Sequence, residues 1–164
     1  MAALQFSAEE LFIVAEQIEK NGAAFYRKAA RANADAASML NDLASMEDEH
    51  YRTFAELHRR IGERAKELLA ADPDNEVVMF AQAFANENVF DVRNNPALLL
   101  KGDESLQKVF TIAIGIEKES VVFYTGMKEM VPLNAGRDKV ELILKEEMKH
   151  IALLSNKLKA LAAS

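Results

Sequence analysis

The sequence predicts an all-α protein that folds as a four-helix bundle. Only three prolines and six glycines interrupt its 164 residues, and the good helix formers Ala, Leu, Glu and Lys are abundant. Apolar residues recur at helical spacing along four stretches. Acidic residues and histidines interrupt these apolar stripes at matching heights. The length suits one domain with a substantial core, so residues 1–164 are predicted to form a single domain.

Four long helices are expected, over about 7–32, 35–71, 103–130 and 137–162. The segment Ser7-Ala-Glu-Glu10 fits a capping box at the start of the first helix. Asp72-Pro73 ends the second helix, because the residue before a proline disfavours helical geometry. On the third helix the apolar stripe is predicted to include Ile114 and Val121. The helices form two hairpins, 7–71 and 103–162.

A crossover over residues 72–102 separates the hairpins. Its apolar stretch between Val77 and Phe84 predicts a short helix, which ends before Asn94-Asn95-Pro96. The crossover is long enough to carry the chain along the bundle instead of round a tight turn. We therefore expect the third helix to run parallel to the second, in an up-down-down-up arrangement.

Composition restricts the classes of function. The chain has no cysteine, which excludes disulfides, thiolate zinc sites and iron–sulfur clusters within it. A net charge of −6 argues against general nucleic-acid binding, which needs a basic face. No signal peptide and no membrane-length apolar run is visible, so the expected location is the cytoplasm, without a membrane partner.

Six polar residues fall on the faces that the apolar stripes predict to be buried. Burying an unpaired carboxylate costs several kcal/mol, and four facing carboxylates would also repel one another. A pair of divalent cations removes both problems. The candidate metal ligands are Glu19, Glu47, His50, Glu117, Glu147 and His150.

The spacing of these residues repeats between the two hairpins. Glu19 lies 14 residues before Asn33 and Glu47 lies 14 after it, so an antiparallel hairpin brings them to one height. Glu117 follows Glu19 by 98 residues, and Glu147 follows Glu47 by 100. Each hairpin therefore places one Glu opposite a Glu-x-x-His pair, whose members share a helix face. The pattern indicates an internal duplication.

In this order the motifs resemble the rubrerythrin-like branch of the ferritin-like superfamily; they are Glu19-x6-Tyr26, Glu47-Asp-Glu-His50, Glu117-x6-Tyr124 and Glu147-Met-Lys-His150. The resemblance covers essentially the whole chain. It implies a ferritin-like bundle with two iron ions bridged by Glu47 and Glu147. Glu19 and Glu117 would be terminal ligands, with one histidine per metal.

Two features depart from the rubrerythrin pattern. The cysteine-ligated rubredoxin domain that supplies electrons is missing from this chain. The family's additional Glu, three residues after the ligand on the third helix, is replaced by Ser120. Both departures bear on peroxide reduction by the rubrerythrin mechanism, while the predicted metal ligands are unaffected.

Other residues near the motifs receive more ordinary interpretations. Tyr26 and Tyr124 are candidate catalytic residues whose hydroxyls would hold a ligand carboxylate, or else plain core tyrosines. His58 is expected to be structural or at the surface. Four neighbouring acidic residues are expected to face solvent: Glu16, Glu49, Glu119 and Glu146.

A carboxylate-rich site with two histidines suits iron or manganese, although zinc can also bind. The leading hypothesis is a di-iron oxidoreductase that reduces hydrogen peroxide, or dioxygen, with electrons from an external redox protein. The alternatives are a ferritin-like protein that binds and oxidises ferrous iron, a di-manganese catalase-like enzyme, and a non-catalytic metal-binding helical module. The apolar insert also suggests a homodimer, with exchanged hairpins as one way to form it.

Overall fold

The computed structural model describes residues 8–61 and 95–164, together with five single positions between them (74, 76, 79, 80 and 83). Its long helices are α1 (Ala8–Ala32), α2 (Ala37–Ile61), α3 (Leu106–Met130) and α4 (Arg137–Ala162). Within these described ranges the chain is helical and forms no strand. None of the described helices is long and apolar enough to cross a membrane. The predicted all-α fold class is therefore confirmed.

Short turns join the helices of each hairpin. A 3-10 turn, Ala34–Ala36, leads into α2, which begins slightly later than the predicted start near residue 35. The third helix begins at Leu106 instead of about Asp103, because the Ser105 hydroxyl accepts a hydrogen bond from the Lys108 amide and caps the helix there. Gly136 follows the second turn with a φ of 106°, a left-handed conformation that favours glycine.

The contacts between hairpins give the direction of each helix. Tyr26 of α1 bonds Glu117 of α3, and Tyr124 of α3 bonds Glu19 of α1. The later residue of each helix thus meets the earlier residue of the other, so α1 and α3 are antiparallel. Since α1 and α2 form a hairpin, α3 runs parallel to α2. The predicted up-down-down-up arrangement is confirmed.

The core consists of two apolar clusters, one at each end of the bundle. One cluster joins the start of α1 to the ends of α2 and α3, with Phe12, Phe54 and Met127 among its fully buried members. The other joins the end of α1 to the starts of α2 and α3, and includes Phe25 and Leu40. The carboxylates and histidines lie at the level between them.

Two residues of the predicted α3 stripe are less buried than expected. Ile114 and Val121 are half-buried and pack against the two apolar clusters, whereas Phe123, Met127 and Ile116 are buried. This helix is apolar on several sides, so the sequence pattern did not fix how deeply each apolar residue is buried.

Several predictions concern residues beyond the described part of the chain. The capping residue Ser7, the stretch of the second helix after Ile61 and most of the crossover lie outside it. Of the crossover, positions 76, 79, 80 and 83 are helical, and Pro96–Leu99 forms a 3-10 turn.

Candidate metal centre

The six predicted ligands meet in the middle of the bundle, between the two apolar clusters. Each helix contributes, with Glu19 on α1, Glu117 on α3 and one Glu-x-x-His pair on α2 and on α4. All six side chains are buried, and their residues are between 0 and 4% exposed. Ligands that lie at equal distances from their hairpin turns in the sequence are thus found at one level along the bundle in the structure.

The ligand atoms form two overlapping groups of four. In the first group they come from Glu19, Glu47, His50 and Glu147, and all lie within 4.8 Å of one another. In the second group they come from Glu47, Glu117, Glu147 and His150, within the same limit. Each group therefore offers three carboxylates and one imidazole. Glu47 and Glu147 belong to both groups, which is the geometry that two bridging carboxylates require.

Both imidazoles direct the same ring nitrogen into the cluster. The Nδ1 atom of His50 lies 2.9 Å from Glu147 Oε1 and 3.5 Å from Glu19 Oε2. The Nδ1 atom of His150 lies 3.0 Å from Glu147 Oε2 and 3.5 Å from oxygens of Glu47 and Glu117. The two rings stack with their centroids 5.9 Å apart. Nδ1 is therefore the nitrogen that a bound cation would meet.

Several of these inward atoms have no hydrogen-bond partner among the described residues. They are Glu19 Oε2, Glu47 Oε1, His50 Nδ1, Glu117 Oε2 and Glu147 Oε1. His50 Nδ1 and Glu147 Oε1 lie 2.9 Å apart, but they are not aligned as a hydrogen bond. Buried polar atoms without partners are costly and uncommon in folded proteins. Five of them converging on one point fit a pair of cations, because a cation satisfies oxygen and imidazole lone pairs together.

The pKa values of the four carboxyl groups in the cluster differ from that of an ordinary exposed Glu. Burial raises the pKa of Glu19 and Glu47, and the nearby Glu147 carboxylate raises both further. Burial and Glu147 also raise the pKa of Glu117 to about 8. Burial acts on Glu147 in the same direction, but contacts with both imidazoles outweigh it and lower the pKa of Glu147 to about 2.

The imidazoles show the complementary effect. Burial alone would lower the pKa of each ring. Contacts with Glu147 and Glu19 instead raise the pKa of His50 to about 11. Contacts with Glu117 and Glu147 raise the pKa of His150 to about 9. At neutral pH, bound protons therefore neutralise part of the negative charge of the metal-free cluster. Divalent cations would displace these protons.

Each candidate tyrosine bonds a carboxylate of the opposite hairpin. The Tyr26 hydroxyl donates a hydrogen bond to Glu117 Oε1, and the Tyr124 hydroxyl donates one to Glu19 Oε1. Both tyrosines are fully buried. Burial, together with the carboxylate each one bonds, raises the pKa of both phenols well above the usual value, so they remain protonated donors. Each hydroxyl leaves the other oxygen of its Glu facing the cluster.

Gly22 and Ser120 occupy equivalent positions, three residues after Glu19 and Glu117. A Cβ atom on Gly22 would lie 2.6 Å from Glu47 Oε2, so glycine leaves room for that carboxylate. Ser120 is buried, and its hydroxyl donates to the Ile116 carbonyl at 3.2 Å instead of to a ligand. The position of the rubrerythrin family's additional Glu thus contributes no carboxylate here.

The outer nitrogens of the two imidazoles face a groove between α2 and α4. The groove has a volume of about 370 Å³. His50 Nε2 lies 2.7 Å from Glu146 Oε2, and His150 Nε2 lies 3.2 Å from Met46 Sδ. Glu146 was expected only to face solvent, and its contact with His50 was missed. The groove provides a path from the surface to the histidine side of the cluster.

Two other expectations about acidic neighbours need correction. Glu16 does not simply face solvent, because its carboxylate lies 2.7 Å from His58 Nδ1, and the His58 ring stacks on Phe12. Glu119 is partly buried, which raises its pKa to about 7. Glu49 is exposed as expected. His58 has a structural role and lies outside the metal cluster.

Comparison with known proteins supports the fold. No protein-family model and no curated protein matches the sequence. The structure is similar to the crystal structure of a ferritin-like diiron-carboxylate protein from Thermotoga maritima, with a TM-score of 0.68 and 21% sequence identity. The match covers 93% of this chain and 95% of that one. The chain therefore has the ferritin-like helical-bundle fold.

Proposed function

We propose that this chain binds two iron ions in the central cluster and reduces hydrogen peroxide, or dioxygen, with electrons from an external donor. The observation that carries the proposal is the pair of four-ligand groups that share Glu47 and Glu147. The similar fold of a diiron-carboxylate protein supports the same assignment. The rubrerythrin-like motifs of the sequence favour peroxide as the oxidant.

The donor set favours iron. Each group offers three carboxylates and one imidazole nitrogen. Such oxygen-rich sets with nitrogen suit iron or manganese, whereas thiolates, which favour zinc and copper(I), are missing from a chain without cysteine. In this assignment Glu47 and Glu147 would be shared by the two ions, Glu19 and Glu117 would each hold one ion, and His50 and His150 would each offer Nδ1 to one ion. Manganese or zinc can occupy the same ligands when supplied in excess.

A pair of ferrous ions supplies two electrons, the number that converts hydrogen peroxide and two protons into two molecules of water. The residues around the cluster prepare it for this task. The hydroxyls of Tyr26 and Tyr124 hold the terminal carboxylates in place. The groove between α2 and α4, with a volume of about 370 Å³, lies on the histidine side of the cluster. Because the chain has no cysteine to carry electrons, a separate redox protein would restore the reduced state.

A second function, binding and oxidation of ferrous iron, is favoured by one observation. Ser120 stands where the rubrerythrin pattern has a further Glu, and its hydroxyl bonds its own helix. The oxidised centre would then have one carboxylate fewer to offset the charge of two ferric ions. Weaker stabilisation of ferric iron moves the chemistry toward that of an iron-oxidising ferritin-like centre.

Rapid mixing of the anaerobically reduced protein with each oxidant tests the proposal. Equal concentrations of peroxide and dioxygen are compared by stopped-flow absorbance. We expect faster oxidation by peroxide, and one turnover only until a reductant is added. The Ser120→Glu variant should increase the preference for peroxide, and Ser120→Ala serves as its matched control. Equal or faster oxidation by dioxygen would instead favour the iron-oxidising function.

A further inference from the structure

The two halves of the cluster have the same inner ligands and different outer partners. Met46 and Glu146 are equivalent residues of the duplicated hairpins, since each immediately precedes a bridging-ligand candidate and they lie 100 residues apart. Each contacts the outer nitrogen of the histidine on the opposite hairpin. His50 Nε2 meets the Glu146 carboxylate at 2.7 Å, whereas His150 Nε2 meets the Met46 thioether at 3.2 Å.

From this contrast we infer that Glu146 is a positioning residue that makes the two metal sites unequal, so that the site containing His50 takes up the first ion. The inference rests on the proposed di-metal function and adds an order of binding to it. The inner ligands of the two groups are matched in type, because both groups contain three carboxylates and one imidazole. The tyrosine hydrogen bonds are also paired, one on each terminal carboxylate.

The second nitrogen of each imidazole affects how strongly the first one binds a cation. When Nδ1 binds a cation, Nε2 carries a proton and donates a hydrogen bond to a partner. A carboxylate partner fixes that tautomer and ring orientation and makes Nδ1 a stronger base. A thioether is neutral and only a weak acceptor. Glu146 therefore places one additional negative charge beside the His50 site, whereas the described contact of His150 Nε2 is the neutral Met46 thioether.

Solvent exposure of Glu146 reduces the effect of its charge on the His50 site but does not remove it. The Glu146 side chain is 41% exposed, so solvent screens its charge. The imidazole it contacts is only 4% exposed, which protects the hydrogen bond itself. Loss of such outer-shell partners lowers metal affinity by about 10- to 100-fold in general. We expect the lower end of that range, about 10-fold, for Glu146→Gln.

The three histidines of the chain allow each site to be followed separately. Protein labelled with nitrogen-15 in histidine is titrated with zinc as a diamagnetic probe, and the imidazole signals are recorded by NMR. His58 lies outside the cluster and provides an internal reference. In the native protein the His50 signals should shift during addition of the first equivalent, and the His150 signals during the second.

Exchange of the two outer partners provides the decisive comparison. The double variant Met46→Glu/Glu146→Met should reverse the order, so that His150 responds first. Glu146→Gln should lower the affinity for the first ion about 10-fold. Glu49→Gln is the matched control, because Glu49 lines the same groove and, among the described residues, bonds neither imidazole. It should leave the order and the first affinity unchanged.

The possible outcomes separate this inference from the proposed function. Simultaneous response of both histidines, or His150 responding first, in a native protein that binds two zinc ions would overturn the inference alone. An unchanged order in the double variant would also overturn it. Failure of the native protein to bind zinc, manganese or ferrous iron would contradict the proposed di-metal function itself.

Discussion

The hydroxyl of Tyr124 on α3 donates a hydrogen bond to Glu19 on α1, and so connects the second hairpin to a predicted metal ligand of the first. Tyr26 makes the reciprocal bond to Glu117. These two bonds lie at the level of the cluster, where the buried carboxylates repel one another. The hairpins are thereby joined at the level of the buried carboxylates.

Replacement of Tyr124 tests the role of this bond. Tyr124→Phe should keep two metal ions bound, because the hydroxyl is not a ligand. It should alter the oxidation rate and destabilise the protein by about 1.5–3 kcal/mol, the usual range for a hydrogen bond to a charged group. Thermal unfolding and metal analysis check both effects. Tyr51→Phe is the control, since Tyr51 lies beneath the Lys20 ammonium group at 4.6 Å and Phe preserves that ring contact. Loss of metal in Tyr124→Phe would contradict this role.

Glycines on two helices provide a matched pair of variants. At Gly22 a Cβ atom would lie 2.6 Å from Glu47 Oε2, so Gly22→Ala should displace that carboxylate and weaken metal binding. At Gly115 no heavy atom of the described structure lies within 4 Å of the added atom. Gly115→Ala should therefore stabilise α3 by about 0.5–1 kcal/mol, the ordinary effect in a helix, and leave metal affinity unchanged. Equal metal affinity in the two variants would show that Glu47 does not depend on the space at Gly22.

Metal affinity should rise with pH. In the metal-free protein the pKa values of Glu117, His150 and His50 are about 8, 9 and 11, so all three groups hold protons at pH 7. Ligands bind metal in their deprotonated forms, and binding must therefore release these protons. Raising the pH from 6 toward 9 lowers the cost of that release. Calorimetry in buffers of different ionisation enthalpy should detect protons released on binding. Proton uptake, or affinity that falls over this range, would contradict these protonation states.

We also predict that the protein forms a homodimer. Large apolar side chains are exposed on helices of the bundle, including Ile13, Val122 and Leu142, which are 53, 49 and 57% exposed. Burial of these side chains against a second copy would remove apolar surface from water, which favours association. Light scattering at micromolar concentration should give twice the chain mass of 18.2 kDa. A monomer at that concentration would refute the dimer.

Much of the site could be predicted from spacing alone. The Glu-x6-Tyr and Glu-x-x-His patterns depend on helix periodicity and on the distance of each residue from the hairpin turn. Both can be counted directly along the sequence. The crossover length indicated the up-down-down-up order for a similarly simple reason. Both predictions concern backbone geometry. The sequence left open whether Tyr26 and Tyr124 bond ligand carboxylates or are plain core residues, and the structure shows bonds to Glu117 and Glu19.

The outer contacts could not be predicted in the same way. Whether Glu146 reaches His50 depends on side-chain rotamers and on the exact distance between α2 and α4, which no local pattern encodes. The only available signal was the 100-residue offset that makes Met46 and Glu146 equivalent. Similarly, Ile114 and Val121 of α3 pack against the core but are only half-buried, and the sequence did not indicate this because apolar residues occur around most of that helix.

The amount and arrangement of bound iron decide whether the central cluster is a di-iron site. Metal-free protein is reconstituted anaerobically with iron-57, freed of excess iron and studied by elemental analysis and Mössbauer spectroscopy after oxidation. We predict two iron ions per chain that are magnetically coupled through the shared carboxylates Glu47 and Glu147. Glu147→Ala should lose the coupled pair, while Glu141→Ala, on the same helix outside the cluster, should retain it. Absence of bound iron in the native protein, or a coupled pair that survives in Glu147→Ala, would contradict the di-iron assignment.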